Sequence, residues 1–212
     1  MALTFNQYNI SFSEKLILWT PPKTASTFLI FIFQHFDFYT VKSDPTFNFI
    51  NEKNQNLKHI HDCEIPASNQ YKVICSIRNP YDMILSGYYY HLDTENKKSE
   101  DYPFQEYYFS QKNKWDHYMW NECLQKCEKK LPDHFIRKES IYEDLIRIDY
   151  VRNHLLNTSG MLVDLCKKKM NVGKSRPQNE KNMTFEIAEL IHSQYKLFFD
   201  YGGYEFDSWK NY

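Results

Sequence analysis

Apolar positions along the chain fall into short unbroken runs and longer spaced stripes, and the two kinds alternate. The runs are Leu16-Ile17-Leu18-Trp19, Val73-Ile74-Cys75-Ser76-Ile77 and Phe135-Ile136. A stretch this short, with no polar residue at every second position, suits a strand covered on both faces in a parallel sheet. Strands are therefore predicted over 15–20, 71–77 and about 134–138, with a shorter one over 57–61. The stripes predict helices over 26–37, with Phe28, Phe31 and Ile32 on one face, and over 80–92, opened by Pro80. A later one follows Thr184, a good cap for a helix whose Ile187, Leu190, Ile191, Tyr195 and Phe198 share a face. Residues 38–56 read as loop-rich, and 96–130, with Trp115 and Trp120, as helical without strand signals. Strands alternating with helices predict one α/β domain over 1–212, with a mainly parallel sheet flanked by helices on both faces. Ligands are then expected at the carboxyl ends of the strands.

Two of those strand ends carry chemistry. The first runs into Thr20-Pro21-Pro22-Lys23-Thr24-Ala25-Ser26-Thr27, a tight turn with one lysine before a helix that Ser26 or Thr27 can cap. The first-turn amides, the positive end of the helix dipole and the Lys23 ammonium would converge on an anion, as in a phosphate-binding loop. It is not a Walker loop, because GxxxxGK[ST] needs glycines that this stretch lacks. The second strand runs into Arg78-Asn79-Pro80, and Ser86 follows well inside the next helix. An arginine fork suits a phosphate dianion because it donates two hydrogen bonds at once.

Pro22 to Thr27 resembles the 5′-phosphosulfate loop of the sulfotransferases that use 3′-phosphoadenosine 5′-phosphosulfate (PAPS), whose pattern is Pro-Lys-Thr-(Gly/Ala)-(Ser/Thr)-(Ser/Thr). Arg78-Asn79-Pro80 with Ser86 resembles the same family's 3′-phosphate motif. The resemblance implies that Pro22, Lys23, Thr24, Ala25, Ser26 and Thr27 hold the phosphosulfate and that Arg78 and Ser86 hold the 3′-phosphate. It further implies a P-loop-like core, transfer to an acceptor hydroxyl without a metal, and adenosine 3′,5′-bisphosphate as product. Lys23 is the residue that would stabilise charge on the leaving phosphate. Near the end of the chain, Asn171-Val172-Gly173-Lys174-Ser175-Arg176-Pro177 is a basic loop where the family closes over the nucleotide. The usual Arg-Lys-Gly is absent, and Lys174, Ser175 and Arg176 are the corresponding candidates.

Between the two motifs lies Leu57-Lys58-His59-Ile60-His61-Asp62-Cys63, in which His59, His61 and Cys63 would point the same way from a strand. Zinc normally takes four such ligands, whereas a histidine near neutrality can instead take the proton of an attacking hydroxyl. A His-x-His just upstream of the Arg-x-Pro strand, with Tyr88-Tyr89-Tyr90 after Ser86, resembles the uronyl and heparan sulfate 2-O-sulfotransferase branch. That branch implies His61 as the base, His59 as its neighbour and a carbohydrate as acceptor. Two other readings keep the same residues: a P-loop-like kinase using ATP, and an inactive nucleotide- or glycan-binding module.

A formal net charge of −1 argues against a nucleic-acid binder working through bulk positive field. The 17 tyrosines and 16 phenylalanines can build a core and also stack on base or sugar rings. Five cysteines with no framework spacing fit a reducing compartment. No apolar run is long enough to span a bilayer, and Met1 to Ser13 has no signal-peptide pattern. The expectation is a soluble, cytoplasmic enzyme or an excised catalytic domain.

Overall fold

The apolar runs are strands of one sheet. The computed structural model describes residues 7–11, 13–21, 23–34, 39–42, 59–61, 71–111, 131–157, 164 and 183–212. Its strands are β1 Gln7–Ser11, β2 Leu16–Trp19, β3 Tyr39–Lys42, β4 His59–His61, β5 Lys72–Ile77 and β6 His134–Arg137, in the spatial order β4-β3-β1-β2-β5-β6. β2, β5 and β6 are parallel neighbours, as are β3 and β4, while β1 runs antiparallel to both β2 and β3. The sheet is thus mainly parallel, within an α/β fold.

The helices are α1 Ser26–Gln34, α2 Pro80–Glu95, α3 Phe104–Gln111, α4 Ile141–Leu145, α5 Asp149–Asn157, α6 Phe185–Gln194 and α7 Lys196–Gly202. Short 3-10 turns at Lys138–Ser140 and Phe206–Asn211 complete the described elements. Among the described residues no helix is long and apolar enough to cross a membrane.

Strand periodicity divides the core in two. Ile17, Trp19, Val73, Cys75 and Ile77 point to one face, where they pack with Tyr81, Ile84 and Tyr88 of α2 and Ile187, Ile191 and Phe198 of the carboxyl-terminal helices. Leu16, Leu18, Ile74 and Ile136 point to the other and meet Phe28, Leu29, Ile32 and Phe33 of α1 with Leu145 and Val151. This is the two-residue alternation of a sheet covered on both sides. Each such fully buried side chain contributes roughly 1.5–3 kcal/mol relative to exposure.

Several expectations are corrected. β1 and β3 lie where no strand is predicted, β3 inside the segment read as loop. In β1 the buried residues Asn9 and Ser11 flank Ile10, so the strand lacks an apolar run, and β3 has only four residues. Leu190 is exposed, so the stripe of α6 is narrower than predicted, although Thr184 does cap it by accepting from the Ile187 amide. The first helix starts after Ala25, so neither Ser26 nor Thr27 occupies its cap; Leu29 N–H donates to the Ala25 carbonyl at 3.0 Å. Of the segment 96–130 only α3 and the turn before it are described, and the remainder from 112 lies outside the described residues.

Candidate functional site

Adjacent parallel strands β2 and β5 send their chains to opposite faces of the sheet: α1 packs on one core and α2 on the other. Divergence of this kind opens a crevice above the carboxyl ends of the two strands, the usual ligand position in open α/β sheets. The Lys23 turn leaves β2 into this crevice and Arg78 leaves β5 into it.

The turn is held by interior bonds. The Thr24 hydroxyl is fully buried, donates to the Pro21 carbonyl at 2.6 Å and lies 2.6 Å from the Ser76 hydroxyl on β5. One hydroxyl has one proton, so Ser76 is the donor in the second bond. The Thr24 amide also turns inward, to Pro21 O at 3.4 Å. Thr24 therefore anchors the turn to β5, and its hydroxyl does not face a ligand as the motif implies. Lys23 and Ala25 have φ of 65° and 66°, a left-handed conformation that costs a residue with a Cβ roughly 1–2 kcal/mol. Alternation of hand along a turn can gather main-chain amides into an anion-binding concavity, and with the Thr24 N–H turned to Pro21 such a role falls to the amides from Ala25 onward. Ser26 and Thr27 follow in the first turn of α1, whose amides lack intrahelical acceptors.

Arg78 is buried and doubly held. Its Nε donates to Asp82 Oδ2 at 2.5 Å and an Nη to the Lys23 carbonyl at 2.8 Å, which ties the end of β5 to the turn after β2. Asp82 also receives Lys138 Nζ at 3.2 Å from the end of β6. Asp82, Ser86 and Tyr90 are spaced by four residues and so share one face of α2. That face meets the turn at both ends: Asp82 through Arg78, and Tyr90 through its ring, which lies 3.3 Å beneath Lys23 Nζ. Ser86 sits midway along it. Pro80 opens α2, and the Asn79 side chain accepts from the Tyr81 amide as its cap.

Charge is concentrated here. Arg78 and Lys138 share one carboxylate, and Lys23 adds a third cation. Burial holds the Lys138 ammonium below the usual lysine range, Asp82 counteracts that, and Arg78 adds to the lowering. Glu139, next along, is exposed, and its carboxylate accepts from the Asn79 main-chain N–H at 3.3 Å and from the Tyr204 hydroxyl at 2.7 Å. Burial first, then the Glu139 charge, raises the Tyr204 hydroxyl well above the ordinary tyrosine range. The Ser208 hydroxyl accepts from Asn79 Nδ2 at 3.0 Å, so the carboxyl-terminal segment buttresses the Arg78 turn.

Lys23, Ala25, Ser26, Thr27, Arg78 and Ser86 are thus brought to one rim. His61 ends β4 on the same rim: it pairs with Lys42 and Lys42 with Gln7, while Asn9, two residues on, pairs with Leu18. His61 is therefore level with Thr20 but three strands from β2, about 14 Å at the usual strand spacing. Pro22, Lys174, Ser175, Arg176 and Cys63 lie outside the described residues. His91 packs against the rings of Tyr102 and Tyr107 at 5.5 Å and belongs to the aromatic core. Asp82 and Lys138 were not singled out by motif, and Tyr90 only as part of the Tyr88-Tyr89-Tyr90 run. The readable signals were the four-residue steps 78–82 and 86–90 and a lysine directly after a parallel strand. Comparison with protein-family models, curated proteins and solved structures gives no match for this chain.

Proposed function

We propose that the protein is an O-sulfotransferase that moves the sulfuryl group of PAPS to an acceptor hydroxyl, by motif resemblance on a carbohydrate. The observation that carries this reading is the convergence of the Lys23 turn and the Arg78–Ser86 face over two adjacent parallel strands whose helices diverge. A donor with anionic groups on both the 3′ and the 5′ positions of one ribose needs two such sites close together.

The residues fit that donor. The amides of Ala25, Ser26 and Thr27 suit the phosphosulfate, and the Nη protons of Arg78 not bonded to Lys23 remain to meet a 3′-phosphate with the Ser86 hydroxyl. Thr24 fixes the turn from below. Lys23 extends its ammonium over the rim, where it would oppose charge growing on the leaving phosphate oxygen. As in phosphoryl transfer, the protein's contribution is positioning and charge stabilisation. His61 would take the acceptor's proton, with His59 beside it in sequence. A base must lie within hydrogen-bond reach of the attacking hydroxyl, so with about 14 Å between the strands the phosphosulfate would have to extend from β2 toward β4.

Because Arg78 and Ser86 address a phosphate that ATP lacks, adenosine 3′,5′-bisphosphate at about 100 times its Kd should raise Tm by roughly 5–10 °C. ATP with magnesium should do little at the same concentration. Stabilisation by ATP alone would move the chain to the kinase reading. Transfer of label from PAPS to a panel of sugars then separates enzyme from inactive binding module.

The base assignment has its own test. His61→Ala should lower turnover about a hundredfold, the usual scale for loss of a general base, and leave bisphosphate binding nearly intact. His59→Ala should cost less. Near-normal turnover of His61→Ala across the pH range would put the base elsewhere.

A further inference from the structure

We infer that Lys138 is a third cation of the nucleotide site, acting with Arg78 on the 3′-phosphate and so setting selectivity for a bisphosphorylated nucleotide. This rests on the sulfotransferase reading and assigns a residue outside its two motifs.

The geometry begins with Asp82. A single carboxylate, 12 % exposed, receives both Arg78 Nε at 2.5 Å and Lys138 Nζ at 3.2 Å. The ammonium and the guanidinium therefore stand side by side on one carboxylate, with Glu139 as a second negative charge acting on Lys138. Glu139, the nearest other carboxylate in sequence, is engaged by the Asn79 amide and Tyr204. An incoming anion at this place would meet two adjacent cations whose carboxylate is divided between them.

Strand order says which anion. The turn that would hold the 5′ end stands over β2, Arg78 over β5 and Lys138 over β6, on the side of Arg78 away from the turn. Lys138 is displaced from Lys23 by two strand spacings, on the order of 10 Å, and from Arg78 by one. It is thus placed for the phosphate that Arg78 takes and not for the group over β2. Its side chain is 34 % exposed, so the ammonium can turn from Asp82 to a ligand without leaving a buried pocket. Burial already disfavours its charged form, and a phosphate dianion beside it would relieve that penalty.

The test compares adenosine 3′,5′-bisphosphate with adenosine 5′-monophosphate, by calorimetry on the full chain. Lys138→Met should weaken the bisphosphate about tenfold or more, the scale of one charge-assisted hydrogen bond, and change the monophosphate by less than twofold. Lys138→Arg should restore the preference. Lys138→Gln provides a second neutral variant should the methionine variant fold poorly, with the same expected loss. Equal weakening of both nucleotides, or of neither, overturns the assignment. A wild-type protein that does not prefer the bisphosphate defeats the sulfotransferase reading itself, and that result is visible before any variant is made.

Discussion

Replacing Lys23 with alanine is expected to lower turnover by roughly two to three orders of magnitude while changing the Kd for adenosine 3′,5′-bisphosphate only a few-fold. The magnitude is that for loss of one group aimed at charge that develops in the transition state. The structure makes this a clean substitution. Arg78 is held by the Lys23 main-chain carbonyl, which alanine keeps, and the left-handed φ of 65° is as costly for alanine as for lysine. The substitution removes the ammonium that lies over Tyr90. Arg78→Ala should behave in the opposite way. It deletes both the proposed phosphate fork and the bond that ties β5 to the turn, so Kd should rise at least tenfold with a smaller change in kcat at saturation. Single-turnover kinetics with titrated PAPS separates the two effects. Exchange of the two phenotypes would mean that the turn and the arginine have been given each other's roles.

Asp82→Ala is expected to destabilise the fold by about 3 kcal/mol, lowering Tm by roughly 6–12 °C for a chain of this size. An exposed ion pair would contribute less than about 1 kcal/mol. Here the carboxylate is 12 % exposed, and its removal leaves the Arg78 guanidinium, 6 % exposed, without its nearest counter-charge. Lys138 can reach water, which keeps the expected loss at the lower end of the range for a broken buried pair. Asp82→Asn retains an acceptor but not the charge and should fall between. Denaturant or thermal unfolding measures all three proteins. A loss within 0.5 kcal/mol would show that the Arg78–Asp82–Lys138 cluster is solvated and would weaken the case for an anion site built on it.

How much of this was legible beforehand depends on how local each feature is. The parallel strands β2, β5 and β6, the helix opened by Pro80 and the Thr184 cap are set by residues within a few positions of one another, and their apolar runs and cap residues are visible in the chain. The same holds for a lysine turn after one strand and an arginine after the next. Strand β1 was hidden because Asn9 and Ser11, both buried, interrupt the hydrophobic pattern, and β3 because four residues carry too little periodicity.

What the tertiary structure decided is whatever joins positions far apart along the chain. Thr24 reads as a ligand-binding hydroxyl until Ser76, 52 residues away, is seen to hold it in the interior. Asp82 and Lys138 are separated by 56 residues and meet only because β6 lies beside β5. The faces to which α1 and α2 depart, and hence the crevice between Lys23 and Arg78, follow from which side of the sheet each apolar stripe finds room to cover. The amino-acid sequence by itself determined the elements and the chemistry at their ends. Strand order and burial, which depend on the whole sheet closing at once, decided which of those ends share a site.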